Sequence, residues 1–168
     1  PLLVQASASV VEVFDETFKS MNVFSVDLLN AILPFTVHPL AEVRHHCLRA
    51  SLVVIETLDT DIPNFFKQIW ELYEKSSSDD LTFFFTLIAN SIKHTPEFDD
   101  DDVSTVMKLL QQVFQEKEEE SLPLFANSLS IVYELISFDS QLSEDLLPNV
   151  LPRIGSCLEY ANSEVLLT

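Results

Sequence analysis

The run HPLAEVRHHCLRA, residues 38–50, holds residue types that can bind a metal or act as acids and bases. Zinc is bound by histidine and cysteine side chains that converge on it tetrahedrally. Each residue of a helix turns by about 100°, so His45 and Cys47 would point roughly 200° apart. The spacing therefore predicts no metal site. We expect Cys47 in an apolar core and His45 on a solvated face.

The same run is the one dense basic cluster in a chain with 9 basic and 27 acidic residues. We take Arg44, His45 and Arg49, here called the basic cluster, as candidate partner-binding residues. Two interpretations stay open. The cluster pairs with acid, on a partner segment or on a neighbouring helix pair, or it balances Glu42 on its own helix. We favour the balance with Glu42.

Two acidic runs supply the remaining candidate residues. EFDDDD, residues 97–102, lacks the spaced carboxylates and distal glutamate of a calcium-binding loop, and QEKEEE, residues 115–120, follows one helix later. Such carboxylates could hold a lysine- or arginine-rich segment. Plain solvated turns, with a helix cap at the last aspartate of the first run, are the interpretation we favour. The candidate binding residues are Asp99, Asp100, Asp101, Asp102, Glu118, Glu119 and Glu120.

Composition narrows the class of protein. A net charge of −18 argues against nucleic acid, because its phosphates require lysine and arginine. Gly155 is the single glycine, and no phosphate-binding glycine motif occurs, so no nucleotide cofactor is expected. No metal ligands, catalytic residues or nucleophile–base pair can be assigned. No apolar stretch reaches the roughly 20 residues that cross a bilayer, so we expect no membrane insertion.

Helices are the elements that must position these residues. Apolar residues recur at i, i+3 and i+4 in eight segments, and strand alternation is sustained nowhere. The eight stripes begin at Leu3, Leu28, Val43, Ile62, Leu81, Val103, Leu122 and Leu147, and a ninth helix is expected to open at Ser163. Polar residues near the helix starts are predicted N-caps: Ser25, Asp61, Asp80, Asp102, Ser121 and Ser143. The predicted fold class is all-α.

The helices repeat in pairs. The first apolar residues of alternate helices, Val43, Leu81, Leu122 and Val165, are spaced 38 to 43 residues apart. A helix-pair period near 40 residues is typical of α-solenoids, whose pairs bury their apolar faces by stacking on neighbours. We therefore predict one α-α superhelix segment over 1–168. Its helix pairs are expected at 21–59, 60–96 and 97–140, with partial repeats at 1–20 and 141–168.

LLNAILPFTVHPLAEVRHHCLRASLVVIETL, residues 28–58, resembles a HEAT repeat. In that family a first helix carrying Leu-Pro, here Leu33-Pro34, is followed by a second helix opening on Val-Arg, here Val43-Arg44. DLLPNVLPRIGSCLEYANSEVLL, residues 145–167, resembles the first helix of another pair. His38 stands where the family often has aspartate, and the Val-Arg pair is not repeated. The regular cross-repeat contacts between aspartate and arginine are therefore not implied.

The diverged repeats and the acidic composition are similar to those of importin-β-like transport receptors. That resemblance implies a non-catalytic segment that binds basic protein cargo, in the cytoplasm or the nucleus. It further implies Ran and pore proteins as partners. The alternative is a scaffold subunit of a static phosphatase, chromosome-organising or cytoskeletal assembly, since such scaffolds share the architecture.

Overall fold

In the computed structural model, the described backbone comprises residues 26–115 and 122–165, and the described side chains comprise 26–115 and 123–155. In these ranges every regular element is an α-helix or a 3₁₀ helix and there is no strand, which confirms the all-α prediction. The α-helices are α1 Val26–Ile32, α2 Ala41–Thr57, α3 Phe65–Tyr73, α4 Leu81–His94, α5 Asp100–Gln115, α6 Leu122–Phe138 and α7 Ser143–Val165. Short 3₁₀ helices span Leu33–Val37, Ser78–Asp80 and Ser140–Leu142.

Each predicted stripe within the described ranges overlaps one of these helices, although the stripe that begins at Ile62 starts three residues before α3. The first stripe, which begins at Leu3, lies outside the described residues, as do the predicted caps Ser25 and Ser121. The expected ninth helix is wrong, because α7 continues through Ser163 to Val165. Residues 156–162 include neither glycine nor proline, so nothing in the local sequence ends the helix before Ser163.

The chain divides into two compact units, Pro1–Phe98 and Asp99–Thr168. In the first unit, α2 packs against both α1 and α4, and α3 packs against α4. In the second unit, α5, α6 and α7 all pack against one another. Each unit therefore has its own contacts between successive helices and between alternate helices.

The core of the first unit is formed by the apolar stripes of its helices. On α2 the stripe that begins at Val43 is fully buried, and it includes Cys47. Phe84 and Phe85 of α4 are also buried, whereas Phe83 is only partly covered. Three successive positions span about 200° of helix, so this division is the expected result of helical geometry.

The core of the second unit is smaller and is built in the same way. Buried apolar side chains come from α5, α6 and the start of α7: Val106, Leu109, Leu110, Val113, Phe125, Ile131, Val132, Leu135, Leu146 and Val150. The rings of Phe114 and Phe125 meet edge to face, with centroids 6.0 Å apart. These contacts hold the first turns of α7, which carry Pro148, against α5 and α6.

The start of α3 differs from the sequence-based expectation. Asp61 was the predicted cap, but α3 begins at Phe65 and its N-cap position is Asn64, which has φ 56°. Asparagine tolerates this left-handed conformation better than most residues. The backbone N–H of Phe66 donates to Oγ1 of Thr95 at 2.8 Å. Because Thr95 lies beyond the end of α4, a side chain distant in sequence replaces the local cap.

Candidate functional site

The basic cluster of α2 contacts Asp80, the residue immediately before α4. Arg44 Nε donates to Asp80 Oδ2 at 2.6 Å, and its Nη1 donates to the carbonyl oxygens of His38 at 3.1 Å and Pro39 at 3.2 Å. The Asp80 side chain is completely buried and that of Arg44 is 13% exposed. A charge-assisted hydrogen bond of this kind joins α2 to the beginning of α4.

His45 completes this ionic contact from the exposed side of α2. Its Nε2 lies 3.0 Å from Asp80 Oδ1, so a protonated imidazole forms an ion pair with the carboxylate. The approach is not aligned for a hydrogen bond, and Oδ1 has no hydrogen-bond partner among the described residues. The His45 ring also lies against Phe83, with centroids 6.3 Å apart. His45 is thus held between a carboxylate and an aromatic ring.

The opposing charge for Arg44 and His45 comes from the residue before α4. The balance with Glu42 that the sequence favoured is wrong, because the acid that Arg44 and His45 contact is Asp80. Asp80 holds the N-cap position of α4 but makes no side-chain cap hydrogen bond, since its carboxylate is turned to α2. Arg49, the third member of the cluster, is exposed and forms no ion pair with a described residue.

The histidine and cysteine of this run diverge, as helical geometry predicts. Cys47 is buried in the core, whereas the His45 side chain is 47% exposed. Within residues 26–115 and the described part of 122–165, no group of three or more histidine, cysteine, aspartate or glutamate side chains could hold a metal ion. We therefore assign no metal ligands among these residues.

The acidic run at residues 99–102 forms the N-terminus of α5. Asp99 Oδ1 accepts from the backbone N–H groups of Asp101 at 3.0 Å and Asp102 at 3.1 Å, so Asp99 is the helix cap. In return, the N–H of Asp99 donates to Asp102 Oδ2 at 3.4 Å. The predicted cap at Asp102 is wrong by three residues, because Asp102 closes the reciprocal capping arrangement from inside the helix.

The four aspartates differ in accessibility. Asp102 is buried, whereas Asp99, Asp100 and Asp101 are exposed and form no ion pair with a described residue. Three of the four predicted binding carboxylates in this run are therefore accessible to a partner. The other predicted acidic residues, Glu118, Glu119 and Glu120, lie outside the described residues.

A groove between α5 and α7, here called the α5–α7 groove, was not predicted from the sequence. It has a volume of about 390 Å³. Its apolar lining is provided by Met107, Leu110, Phe114 and Leu146, and its polar lining by Gln111, Asp145 and Asn149. Helical spacing correctly identifies Leu110 as inward-facing, but the predicted start of the last stripe is wrong by one residue, because Leu147 is exposed and Leu146 is buried. Spacing also gives no measure of the volume left between two helices.

Among the described residues of the first unit, His94 and Tyr73 have shifted pKa values, and both shifts arise from packing. His94 is buried at the end of α4, and its Nδ1 lies 3.3 Å from the carbonyl oxygen of Thr60. Burial lowers the pKa of His94 below its ordinary value of 6.5, which outweighs the opposing effect of the Thr60 contact. Burial also raises the pKa of Tyr73. Neither residue belongs to the candidate binding surfaces.

No protein-family model, curated protein or solved structure matches this chain. In the part of the chain that the structure describes, no helix combines the length and apolarity that crossing a membrane requires. The basis for a functional interpretation is therefore the fold together with the charges and contacts of the two units.

Proposed function

We propose that this chain is a non-catalytic, HEAT-type helical-repeat segment that binds a lysine- or arginine-rich protein segment. The observation that carries the proposal is the exposure of Asp99, Asp100 and Asp101, none of which forms an ion pair with a described residue. Arg44 and His45 of the basic cluster, in contrast, already have their counter-charge in Asp80. A basic partner would supply the counter-charge that no described residue gives these three carboxylates.

Electrostatics sets the expected strength of this binding. The chain carries a net charge of −18, so its field draws basic segments toward it and speeds association. Attraction between exposed charges is screened beyond about 8–10 Å at physiological salt. Each exposed ion pair contributes about 0.2–1 kcal/mol. Binding by one segment is therefore expected to be fast, modest in affinity and weakened by salt.

The helix contacts support the repeat part of the proposal. Alternate helices touch within each unit, α2 with α4 and α5 with α7, as stacked helix pairs in a solenoid would. Within this proposal the protein is a transport receptor of the importin-β-like kind that carries basic cargo. Its further partners are Ran and pore proteins, and it acts in the cytoplasm or the nucleus.

The second candidate is a scaffold subunit of a static assembly. The buried contact between Arg44 and Asp80 favours it, because this contact fixes α2 and α4 relative to each other as a rigid support requires. A scaffold of this kind has no need for salt-sensitive binding of a basic segment. Measurements of such binding therefore separate the two candidates.

The test is a titration of a lysine- and arginine-rich import-signal peptide against the full chain by fluorescence anisotropy. The test variant carries Asp99→Asn, Asp100→Asn and Asp101→Asn, because asparagine caps a helix as well as aspartate does. The matched control carries Glu56→Gln, Asp59→Asn and Glu71→Gln, three exposed carboxylates of the first unit. Both triple variants change the net charge by the same amount.

The proposal predicts a Kd that rises with salt and rises roughly three- to a hundredfold in the Asp99–Asp101 variant, since three lost ion pairs cost about 0.2–1 kcal/mol each. The matched control should change the Kd by less than about twofold. Equal losses of affinity in both variants would show that the acidic residues act only through the net negative charge of the chain. Binding that ignores salt and both variants would reject the proposal and favour the scaffold.

A further inference from the structure

We propose that the α5–α7 groove is the anchor of the basic segment, where it takes one large apolar side chain lying next to a lysine or arginine that pairs with Asp145. This inference rests on the proposed function and adds a second, apolar requirement to the partner. The partner class is thus an amphipathic basic segment, rather than any cationic chain.

The size and lining of the groove suit an apolar side chain. A volume of about 390 Å³ lies in the lower part of the range of about 300–1,000 Å³ that ligand pockets occupy. The side chains of Leu110 and Leu146 are buried and form apolar walls, whereas Met107 and Phe114 are only partly covered. Methionine is unbranched and polarizable, so Met107 can adapt to the shape of an inserted side chain.

Charge decides which apolar segment fits. Asp145 is exposed, lines the groove and forms no ion pair with a described residue. Covering this carboxylate with a purely apolar ligand would remove its water without compensation, which is costly. An acidic ligand would be repelled. A ligand that carries a cation beside its apolar group avoids both costs.

The second unit does not supply that cation from its described residues. Its described basic side chains are Lys108 and Arg153. The Arg153 guanidinium lies over the ring of Phe125, 5.2 Å from the centroid. Lys108 follows Met107 and points about 100° around α5 from it. The groove therefore combines an apolar lining with a carboxylate that no described cation compensates, which complements an apolar and cationic ligand.

The probe is a helical peptide of about 14 residues, about four turns, made of alanine and lysine with one central leucine. A second peptide replaces the leucine by serine, and a third replaces the lysines by glutamine. All three are titrated against the full chain. Burying a leucine stabilises by about 1.5–3 kcal/mol, so the serine peptide should bind roughly ten- to a hundredfold more weakly.

The site of binding is read from methionine methyl groups. The chain has two methionines, Met21 and Met107. Labelling both with carbon-13 gives two methyl signals, and Met21→Leu identifies the one that belongs to the groove. The leucine peptide should shift the Met107 signal to saturation with the same Kd as the anisotropy titration.

Two variants test the groove, each with a neighbour as control. Gln111→Trp should fill the groove and weaken binding about tenfold or more, since an apolar anchor is lost. Gln112→Trp alters an exposed residue outside the lining and should leave binding unchanged. Asp145→Asn should weaken binding roughly two- to fivefold, and Glu144→Gln should not. All four positions are exposed, so folding should persist.

The outcomes separate this inference from the proposed function. If the leucine and serine peptides bind equally, respond to Asp99–Asp101 substitution and leave the Met107 signal unmoved, the groove is rejected and the acidic surface stands. If the glutamine peptide binds as tightly as the lysine peptide, the groove takes apolar ligands without regard to charge and the inference fails. If no peptide binds, both proposals fail.

Discussion

In the first unit Arg44 and His45 of α2 contact a buried carboxylate, whereas in the second unit the exposed carboxylates at the starts of α5 and α7 form no ion pair with a described residue. Arg44 and His45 both reach Asp80, at 2.6 and 3.0 Å. Asp99 to Asp101 and Asp145 are exposed and form no ion pair with a described residue. Arg44 and His45 are thus already paired within the fold. The carboxylates of the acidic turns, in contrast, are accessible to a partner.

Burial explains the difference. A carboxylate removed from water is stable only when it is paired and hydrogen-bonded, so Asp80 requires the guanidinium that contacts it. An exposed aspartate keeps its hydration and requires no partner. Charges in the second unit can therefore remain unpaired at little cost, and a partner can bind them.

The largest expected effect comes from removing the buried charge. Asp80→Asn leaves Arg44 without its counter-charge, and breaking a buried ion pair in this way costs about 3–5 kcal/mol. We expect a loss of about 3 kcal/mol, the low end, because the Arg44 side chain is 13% exposed and can regain some hydration. Urea denaturation followed by circular dichroism measures the loss as a lower midpoint.

Asp79→Asn is the control for that measurement, since Asp79 is the exposed neighbour of Asp80 in the same 3₁₀ helix. It should change the free energy of unfolding by less than about 0.5 kcal/mol, as surface substitutions usually do. Equal effects of the two substitutions would show that the contact of Asp80 with α2 contributes nothing, and the contrast between the units would disappear.

A smaller effect is expected from the cap of α5. Asp99→Ala removes the acceptor for the N–H groups of Asp101 and Asp102 and should cost about 1 kcal/mol. Asp100→Ala removes an exposed charge that makes no cap contact. It should cost only a few tenths of a kcal/mol, because the variant loses only the favourable interaction of an acidic residue with the helix N-terminus. Thermal unfolding of both variants gives the comparison. A cost for Asp100→Ala as large as that for Asp99→Ala would reject the capping assignment.

The pH dependence of the first unit should come from His94. Burial lowers the pKa of His94, so the unfolded chain binds a proton at higher pH than the folded chain. The unit is therefore fully stabilised above about pH 6.5, the ordinary value, and loses stability as pH falls from there through the lowered pKa. Thr60, Lys93, Asp61 and Asp59 are the groups that influence this proton.

His94→Gln tests this assignment, because glutamine keeps a donor for the Thr60 carbonyl but cannot take up the proton. The free energy of unfolding is measured by urea denaturation between pH 7.5 and pH 5, a window around the ordinary histidine pKa of about 6.5. As the pH is lowered, it should fall less for the variant than for the parent chain. If the two chains lose the same free energy over this range, other groups are responsible.

The sequence predicted the helices well because apolar periodicity is a local property. The stripes beginning at Leu28, Val43 and Val103 identify α1, α2 and α5 to within a few residues. Helix caps were less predictable, since a cap depends on where a side chain lies in the fold. The backbone N–H of Phe66 donates to the Thr95 side chain, whereas the Asp80 side chain makes no cap hydrogen bond. Neither contact can be inferred from the neighbouring residues in the sequence.

The candidate sites likewise divide into features that local helical geometry predicts and features that depend on packing. Helical geometry correctly separates Cys47 from His45, because both lie on one helix. It could not find the contact between Arg44 and Asp80, since those residues are 36 positions apart and meet only through packing. The α5–α7 groove depends on how closely two helices approach, which depends on side-chain packing across the whole unit.

The most direct test of the contrast between the units is a residue-by-residue map of peptide binding. Nitrogen-15 spectra of the full chain are recorded during titration with the leucine-containing lysine peptide. We predict that amide shifts concentrate at Asp99–Asp101 and along the groove, around Gln111 and Asp145, while the amides of Arg44 and His45 stay unchanged. Shifts concentrated at the basic cluster, or spread evenly over exposed carboxylates of both units, would contradict the account.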